Sequence, residues 1–173
     1  MGWIVLIGQR ACGKTSLGMK LAEHLNLDFI DLDEEIERKE KKNISDIFEV
    51  FGEKYFRTLE LKTLLSLPKK PIILSSGGGL VTQSEALSFL KQRGKIVHIK
   101  VAKADLKERR KNDKTRPLLN GAQSVSQEID DTYDYREDLY IKSSDLQVDC
   151  SGLSIVDSIQ NIQSSLCQKW PKF

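Results

Sequence analysis

The chain has 173 residues, of which 39% are apolar and 30% charged, values typical of one soluble globular domain with its own core. Its net charge is only +2, and its 27 basic and 25 acidic residues are interspersed, so we do not expect a nucleic-acid partner. No apolar run is long enough to span a membrane, and the opening MGWIVLIG lacks the basic flank of a signal peptide.

Short apolar segments alternate with helical patterns along the sequence. WIVLI, residues 3–7, predicts a buried strand, and Leu17, Leu21 and Leu25 then recur at helical spacing. Four further strands are predicted, in chain order, in FIDLD, PIIL, KIVHIKV and DLQVD. This alternation predicts an α/β fold, in which helices cover a parallel sheet on both faces.

The helices between these strands carry start and stop signals. A long apolar pattern is broken near Gly52. Thr82 with Glu85 predicts a capping box for ALSFLKQRG, and Ser124 with Gln127 predicts the cap of a helix through YDYREDLYIK. The other helices are predicted in EEIERKEKK, ADLKERRK and LSIVDSIQNIQSSL.

The segment between the first strand and the first helix fits the P-loop pattern, Gly8-x-x-x-x-Gly13-Lys14-Thr15. Its glycines let backbone N–H groups point at phosphate oxygens, and the helix N-terminus adds partial positive charge. Lys14 reaches the outer phosphates, and the Thr15 hydroxyl can bind Mg²⁺. Ala11 stands where many kinase P-loops have glycine; a φ near −60° would accept alanine, whereas a left-handed conformation would not.

Two acids, Asp31 and Asp33, end the second predicted strand, where carboxylates two residues apart would share one face. Ligands of open α/β sheets bind at this end of the strands. The third strand instead ends in SSGGG, with no acid to hold Mg²⁺. The base-reading Asn-Lys-x-Asp of a GTPase is not found in the sequence, since NDKT has the wrong order.

Together these motifs give the chain a resemblance to the shikimate kinase family. The ordered series is the P-loop, DLDEEIE, IFEVFGEKYFRTLE, SSGGGLV, TRPLL and REDLY, and it covers nearly the whole sequence. The resemblance implies a three-layer α/β/α domain of the P-loop kinase type, with a five-stranded parallel sheet, a helical substrate-binding region and a mobile lid. It also implies transfer of the γ-phosphate of ATP to the 3-hydroxyl of shikimate, a step towards chorismate and the aromatic amino acids.

On this resemblance we divide the single domain, 1–173, into three regions. The core comprises residues 1–32, 69–111 and 144–173. The substrate-binding region spans about 33–62, and the lid spans about 112–124.

The resemblance also implies catalytic and metal-binding roles. Asp33 resembles the acid that holds the reacting hydroxyl and accepts its proton, although an acid here could also cap the following helix. Asp31 resembles the acid near Mg²⁺, with Thr15 as the second metal-binding residue; surface solvation is the alternative for Asp31. Arg116 resembles the lid cation that closes over the phosphates, and in that role it completes a catalytic set with Lys14 and Asp33. The alternative for Arg116 is a solvated loop arginine.

Substrate binding is implied for two arginines and a glycine loop. Arg57 and Arg136 resemble the pair that grips the substrate carboxylate, which suits a guanidinium fork. Neither has an acid four residues further along its helix, which argues against a simple surface ion pair. Gly77, Gly78 and Gly79 would present backbone N–H groups to the substrate and allow its close approach; a flexible loop is the alternative.

The remaining assignments concern ATP. Arg109 resembles the arginine that stacks on adenine, although KERRK could also be a solvated charge run. DCSGLS after the fifth strand is short, so we assign no adenine contacts there. Cys12, beside helix N–H groups, could make the protein sensitive to thiol reagents. The residues expected to bind ATP are Gly8, Ala11, Cys12, Gly13, Lys14, Thr15, Ser16, Arg109 and Arg116.

Two other functions stay open: another small-molecule P-loop kinase, such as a gluconate or nucleotide kinase, and a non-catalytic ATP-binding module. A second phosphorylated substrate would call for more cations near the lid. Loss of Lys14, Asp33 or Arg116 would indicate a binding module, and all three are present.

The three cysteines at positions 12, 150 and 167 are odd in number and lack metal-ligand spacing, so they predict free thiols in a reducing compartment. We therefore expect a cytoplasmic protein. Its expected ligands are shikimate, ATP and Mg²⁺, without nucleic-acid or membrane partners, and the expected state is a monomer.

Overall fold

The computed structural model describes residues 2–111, 118 and 122–171. In this part of the chain it contains five strands, seven helices and a short 3₁₀ turn at Leu80–Thr82. The strands are β1 Trp3–Ile7, β2 Asp28–Asp31, β3 Ile72–Ser75, β4 Gly94–Lys100 and β5 Leu146–Asp149. The helices are α1 Lys14–Leu25, α2 Leu32–Glu40, α3 Ile44–Leu65, α4 Ser84–Arg93, α5 Lys103–Arg110, α6 Val125–Ser143 and α7 Ile155–Lys169.

All five strands run parallel in the order β2-β3-β1-β4-β5. Central β1 is buried along its whole length, as its uninterrupted apolar sequence predicts. Trp3, Val5 and Ile7 point into one hydrophobic cluster, with residues of α3 and α4. Ile4 and Leu6 point into the other cluster, with residues of α1 and α7. The alternation along β1 thus separates two helical layers, and the predicted three-layer fold with a five-stranded parallel sheet is confirmed.

The second strand is shorter than predicted. β2 ends at Asp31 and α2 begins at Leu32, so Asp33 lies in the first turn of a helix. The N–H of Asp33 donates to Oδ1 of Asp31 at 3.0 Å, which makes Asp31 the cap of α2. The prediction that the two acids share one face of a strand is wrong, because the chain turns into a helix between them.

Two of the three predicted helix signals, the cap at Ser124 and the break at Gly52, agree with the structure, and the capping box at Thr82 does not. Ser124 Oγ accepts the N–H of Gln127 at 3.2 Å and caps α6 as predicted. Gly52 has φ 77° and kinks α3, as its position in the apolar pattern predicts. The capping box at Thr82 is wrong, since that hydroxyl donates to the Gly79 carbonyl at 2.8 Å within the 3₁₀ turn, and α4 begins without a side-chain cap.

Within the described part of the chain, the structure holds no helix with the length and apolar character that a membrane crossing would need.

Candidate active site

Three loops meet at one edge of the sheet, where β2, β3 and β1 end. Because these strands are adjacent and parallel, residues 8–13, Asp31 and residues 76–79 lie side by side. Helices α1 and α2 begin at the same edge, and their N-termini add partial positive charge. This edge therefore suits an anionic ligand.

A cavity of about 760 Å³ lies on the P-loop side of this edge. Lys14 begins α1 and is 8% exposed, and its Nζ donates to the carbonyls of Gly8 at 3.0 Å and Gln9 at 2.9 Å. The loop thus holds an ammonium group beside the cavity. The cavity is lined by Arg10, Ala11, Gly13, Lys14, Thr15, Ser16, Asp31, Asp33, Ser75 and Ser76.

Ala11 adopts a left-handed conformation, with φ 63°. Alanine in this region suffers a clash between its Cβ and the backbone, at a cost of roughly 1–2 kcal/mol. The P-loop therefore carries local strain at the position where many kinase P-loops have glycine.

Replacing Ala11 by glycine should raise the free energy of unfolding by about 1 kcal/mol, because relief of the strain exceeds the extra freedom of glycine in the unfolded chain. Thermal unfolding measures this as an increase in Tm of roughly 2–4 °C. Ala104→Gly, at an exposed position in α5, is the matched control and should lower stability by about 0.5–1 kcal/mol. A lower Tm of the Ala11→Gly variant would contradict the inference that Ala11 is strained.

Thr15 and Asp31 place oxygen atoms together beside Lys14. The Thr15 hydroxyl donates to Asp31 Oδ2 at 2.7 Å, and Asp31 is 7% exposed. Among the described residues, no three His, Cys, Asp or Glu side chains form a metal-binding group. One hydroxyl and one carboxylate nevertheless fit Mg²⁺ in nucleotide sites, where phosphates and waters supply most of its ligands.

A second cavity, of about 420 Å³, adjoins the first on the side of α3 and α6. Its floor is the loop 77–79, all of it buried. A Cβ built on Gly79 would overlap Arg57 Nη2, and one built on Gly77 would overlap Glu60 Oε1. The charged ends of Arg57 and Glu60 therefore pack directly on the backbone of this glycine loop. The cavity is lined by Arg10, Asp33, Ile44, Phe48, Phe56, Arg57, Glu60, Gly77, Gly78, Gly79 and Arg136.

Arg57 is held by two acids on its own helix. Its Nη1 donates to Glu60 Oε2 at 2.7 Å, and its Nε and Nη2 donate to Glu53 Oε1 at 3.2 and 2.9 Å. The expectation that Arg57 lacks a local acid partner is wrong, because it considered only the residue four positions further along. The acids lie three positions after and four positions before it. They orient the guanidinium towards the cavity.

Glu60 is a site residue that the sequence reasoning missed. It is 0% exposed, and its Oε2 accepts from Arg57 and, at 2.6 Å, from Gln83 Nε2. Its Oε1 has no hydrogen-bond partner among the described residues. Burial raises the pKa of Glu60 to about 7, although Arg57 acts in the opposite direction. The sequence could have indicated Glu60 as a partner of Arg57, because it lies three residues further along the same helix face.

Arg136 lies inside α6 and is 6% exposed. In residues 2–111, 118 and 122–171, no acceptor forms a hydrogen bond or ion pair with its guanidinium, in agreement with the absence of an acid four residues further along the helix. A buried cation without a counter-charge is costly, so its place on the second cavity favours an anionic ligand.

A third cavity, of about 710 Å³, lies on the other side of the P-loop. Exposed Arg109 borders it and donates to the Cys12 carbonyl at 3.3 Å. Leu153 and Ile155, from the segment after β5 that received no assignment, also line it and are 37% and 55% exposed. This wall has the apolar surface that a nucleobase requires.

The predicted lid lies largely outside the described residues, and Arg116 lies outside them entirely. The three cysteines are free thiols, as predicted. Cys12 is 1% exposed, with its Sγ 3.7 Å from Lys14 Nζ, so a thiol reagent would have to displace the P-loop to reach it.

Comparisons with known proteins agree with this geometry. The family model described as shikimate kinase matches residues 10–167. A shikimate kinase of Mannheimia succiniciproducens is 35% identical over 169 residues, covering 93% of this chain and 97% of the relative. One of Aquifex aeolicus is 40% identical over 141 residues, covering 81% and 82%. The solved structure of the Acinetobacter baumannii shikimate kinase in complex with shikimate has a TM-score of 0.92 and 35% identity, covering 99% of this chain and 96% of that one.

Proposed function

The chain belongs to the shikimate kinase family, and we propose that its two adjoining cavities bring the γ-phosphate of ATP to the 3-hydroxyl of shikimate. The observation that carries this proposal is the junction of the cavities. A P-loop lies on one side and two arginines lie on the other, and Asp33 borders both.

On the acceptor side, Arg57 and Arg136 would bind the carboxylate of shikimate. A guanidinium suits a carboxylate geometrically, and Arg136 gains a counter-charge when the ligand enters. The loop 77–79 would approach the ring closely, since its backbone has no side chains to hold the ligand away.

On the donor side, the backbone of residues 8–13 and Lys14 would hold the phosphates of ATP. Arg109 would lie against the adenine, in the third cavity with Leu153 and Ile155. Thr15 and Asp31 would hold Mg²⁺, which when bound neutralises charge on the phosphate oxygens.

The proposed reaction is a direct transfer. The acceptor oxygen forms a bond to the γ-phosphorus, the bond from that phosphorus to the β–γ bridging oxygen breaks, and ADP leaves. The hydroxyl proton passes to the Asp33 carboxylate. Arg116 on the lid would add positive charge at the transferring group, and closure of 112–124 would exclude water.

This proposal predicts that purified protein forms ADP from Mg·ATP rapidly only when shikimate is present. Quinate and gluconate are comparison acceptors, because each carries a carboxylate and several hydroxyls. Rapid ADP formation with gluconate but not with shikimate would favour the gluconate-type alternative. ATP binding without turnover on any acceptor would favour a binding module.

Glu60 should make shikimate binding dependent on pH. Its folded pKa of about 7 lies above the ordinary value, so the side chain is neutral below pH 7 and becomes negative above it. The new charge opposes an anionic ligand and partly neutralises Arg57. The Kd of shikimate should therefore rise by up to about 10-fold from pH 6 to pH 8.

Calorimetric titration without ATP measures this dependence. Glu60→Gln keeps the acceptor that faces Arg57 and should flatten the profile, whereas Glu53→Gln, at the exposed partner, should leave it as in the wild type. A wild-type Kd that stays constant over this range would exclude Glu60 as the titrating group.

We further propose a cytoplasmic monomer in which residues 33–62 form the substrate-binding region. Three free thiols support a reducing compartment, and α2 and α3 wall the acceptor cavity.

A further inference from the structure

The sequence motifs and the proposed reaction assign no role to the side chain of Arg10. It and Asp33 are the two described residues that border both the P-loop cavity and the acceptor cavity. Its stem also packs on the acceptor loop, since a Cβ built on Gly78 would lie 3.2 Å from Arg10 Cγ. Arg10 therefore lies at the junction of the two cavities.

A buried acid fixes the guanidinium of Arg10. Glu128 in the first turn of α6 is 2% exposed, and its Oε1 accepts from Arg10 Nη1 at 3.0 Å. The same carboxylate accepts from Arg110 Nη1 at 2.9 Å and Nη2 at 3.3 Å. Burial works to raise the pKa of Glu128, but hydrogen bonds from Arg110 and the charge of Arg10 lower it overall.

The three charged side chains of this group are largely buried. Arg110 is 1% exposed, and only 11% of the Arg10 side chain is exposed. One carboxylate, that of Glu128, accepts hydrogen bonds from two guanidinium groups and so fixes the cation of Arg10. The cation is held in place before any ligand binds, which is the arrangement that stabilises a developing negative charge most effectively.

We propose that Arg10 binds the transferring phosphoryl group and then the phosphate ester of the product, and that Glu128 is the residue that positions it. This inference rests on the proposed function, because it takes shikimate as the acceptor. Arg10 would contact the equatorial oxygens of the group in transfer, together with Lys14. It adds a second cation to the P-loop side of the site.

Arg10→Met tests this inference through two ligands that differ by one phosphoryl group, shikimate and shikimate 3-phosphate. The variant should weaken binding of shikimate 3-phosphate by roughly 10- to 100-fold, the expected effect of a charge-assisted contact. Binding of shikimate should change less than about 3-fold, and kcat should fall on the order of 100-fold. Arg10→Lys should recover part of kcat, since it restores the charge but not the fork.

Glu128→Gln tests the positioning role, because it keeps an acceptor for Arg10 and removes the charge that fixes it. It should lower kcat by roughly 5- to 10-fold and leave the Kd of shikimate unchanged. Arg38→Met is the matched control: its side chain is 69% exposed, pairs with Glu35 and borders neither cavity, so both affinities and kcat should stay at wild-type values.

Equal loss of affinity for both ligands in Arg10→Met would show a structural role and overturn the inference. Unchanged product affinity and kcat would overturn it as well. A wild-type protein without shikimate-dependent turnover would instead refute the proposed function, so the two failures can be told apart.

Discussion

Asp33→Asn should lower kcat by on the order of 10²–10⁴-fold while the KM for shikimate changes much less. The carboxylate borders both cavities, at the point where an acceptor hydroxyl would meet the phosphates. Asparagine has nearly the same shape and still accepts a hydrogen bond, but it cannot take the proton. The loss should therefore appear in the chemical step rather than in binding.

The fold of the variant should be preserved, since the N–H of Asp33, which Asp31 caps, is a backbone group and remains. Glu34→Gln is a close control, because Glu34 is an exposed acid in the same turn of α2 and borders neither cavity. It should keep kcat within about 2-fold of the wild type. Steady-state kinetics with saturating Mg·ATP measure both variants. An Asp33→Asn enzyme with more than a third of wild-type kcat would remove Asp33 from the role of proton acceptor.

The sequence predicted the sheet well because its signals are local. A strand buried on both faces must be apolar throughout, and WIVLI and the other runs satisfy this without reference to the rest of the chain. The P-loop is also local, since its glycines and lysine lie within eight residues. The conformation of Ala11 was harder to predict from the sequence. An alanine side chain disfavours a left-handed φ, but the loop adopts one.

The charged site was predicted less completely, because its pairings cross between elements. Arg10 is two residues after the P-loop begins, and its partner Glu128 is on the sixth helix. Spacing in the sequence gives no sign of such a contact. Glu60 was within reach, since it lies three residues after Arg57, but only the fold shows that it is buried against the glycine loop. The sequence shows that Glu60 shares a helix face with Arg57, but its burial depends on tertiary packing.

Arg57 and Arg136, the two arginines proposed to bind the substrate carboxylate, differ in their partners, so the effects of their substitutions can be told apart. Arg57 has Glu53 and Glu60 as partners, so Arg57→Met would leave a buried acid without its cation and should destabilise the protein. Arg136 has no such partner among the described residues. Its removal should therefore relieve the free protein of an unpaired buried charge.

Arg136→Met should raise the Kd of shikimate by on the order of 10²–10³-fold, because a bidentate guanidinium–carboxylate contact combines two charge-assisted hydrogen bonds. The same substitution should increase the free energy of unfolding of the ligand-free protein by about 1–2 kcal/mol. Lys142→Met, at an exposed position on the same helix, should change neither quantity by more than about 0.5 kcal/mol.

Thermal unfolding with and without shikimate measures both effects of Arg136→Met in one experiment. Shikimate at 100 times the wild-type Kd should stabilise the wild-type protein by about 2.7 kcal/mol. At the same concentration the variant should gain almost no stability, because its Kd is much higher. A variant that loses stability but keeps its response to shikimate would make Arg136 a structural residue. A variant that gains stability and loses the response would show that the unpaired charge is maintained for the ligand, at the expense of the free protein.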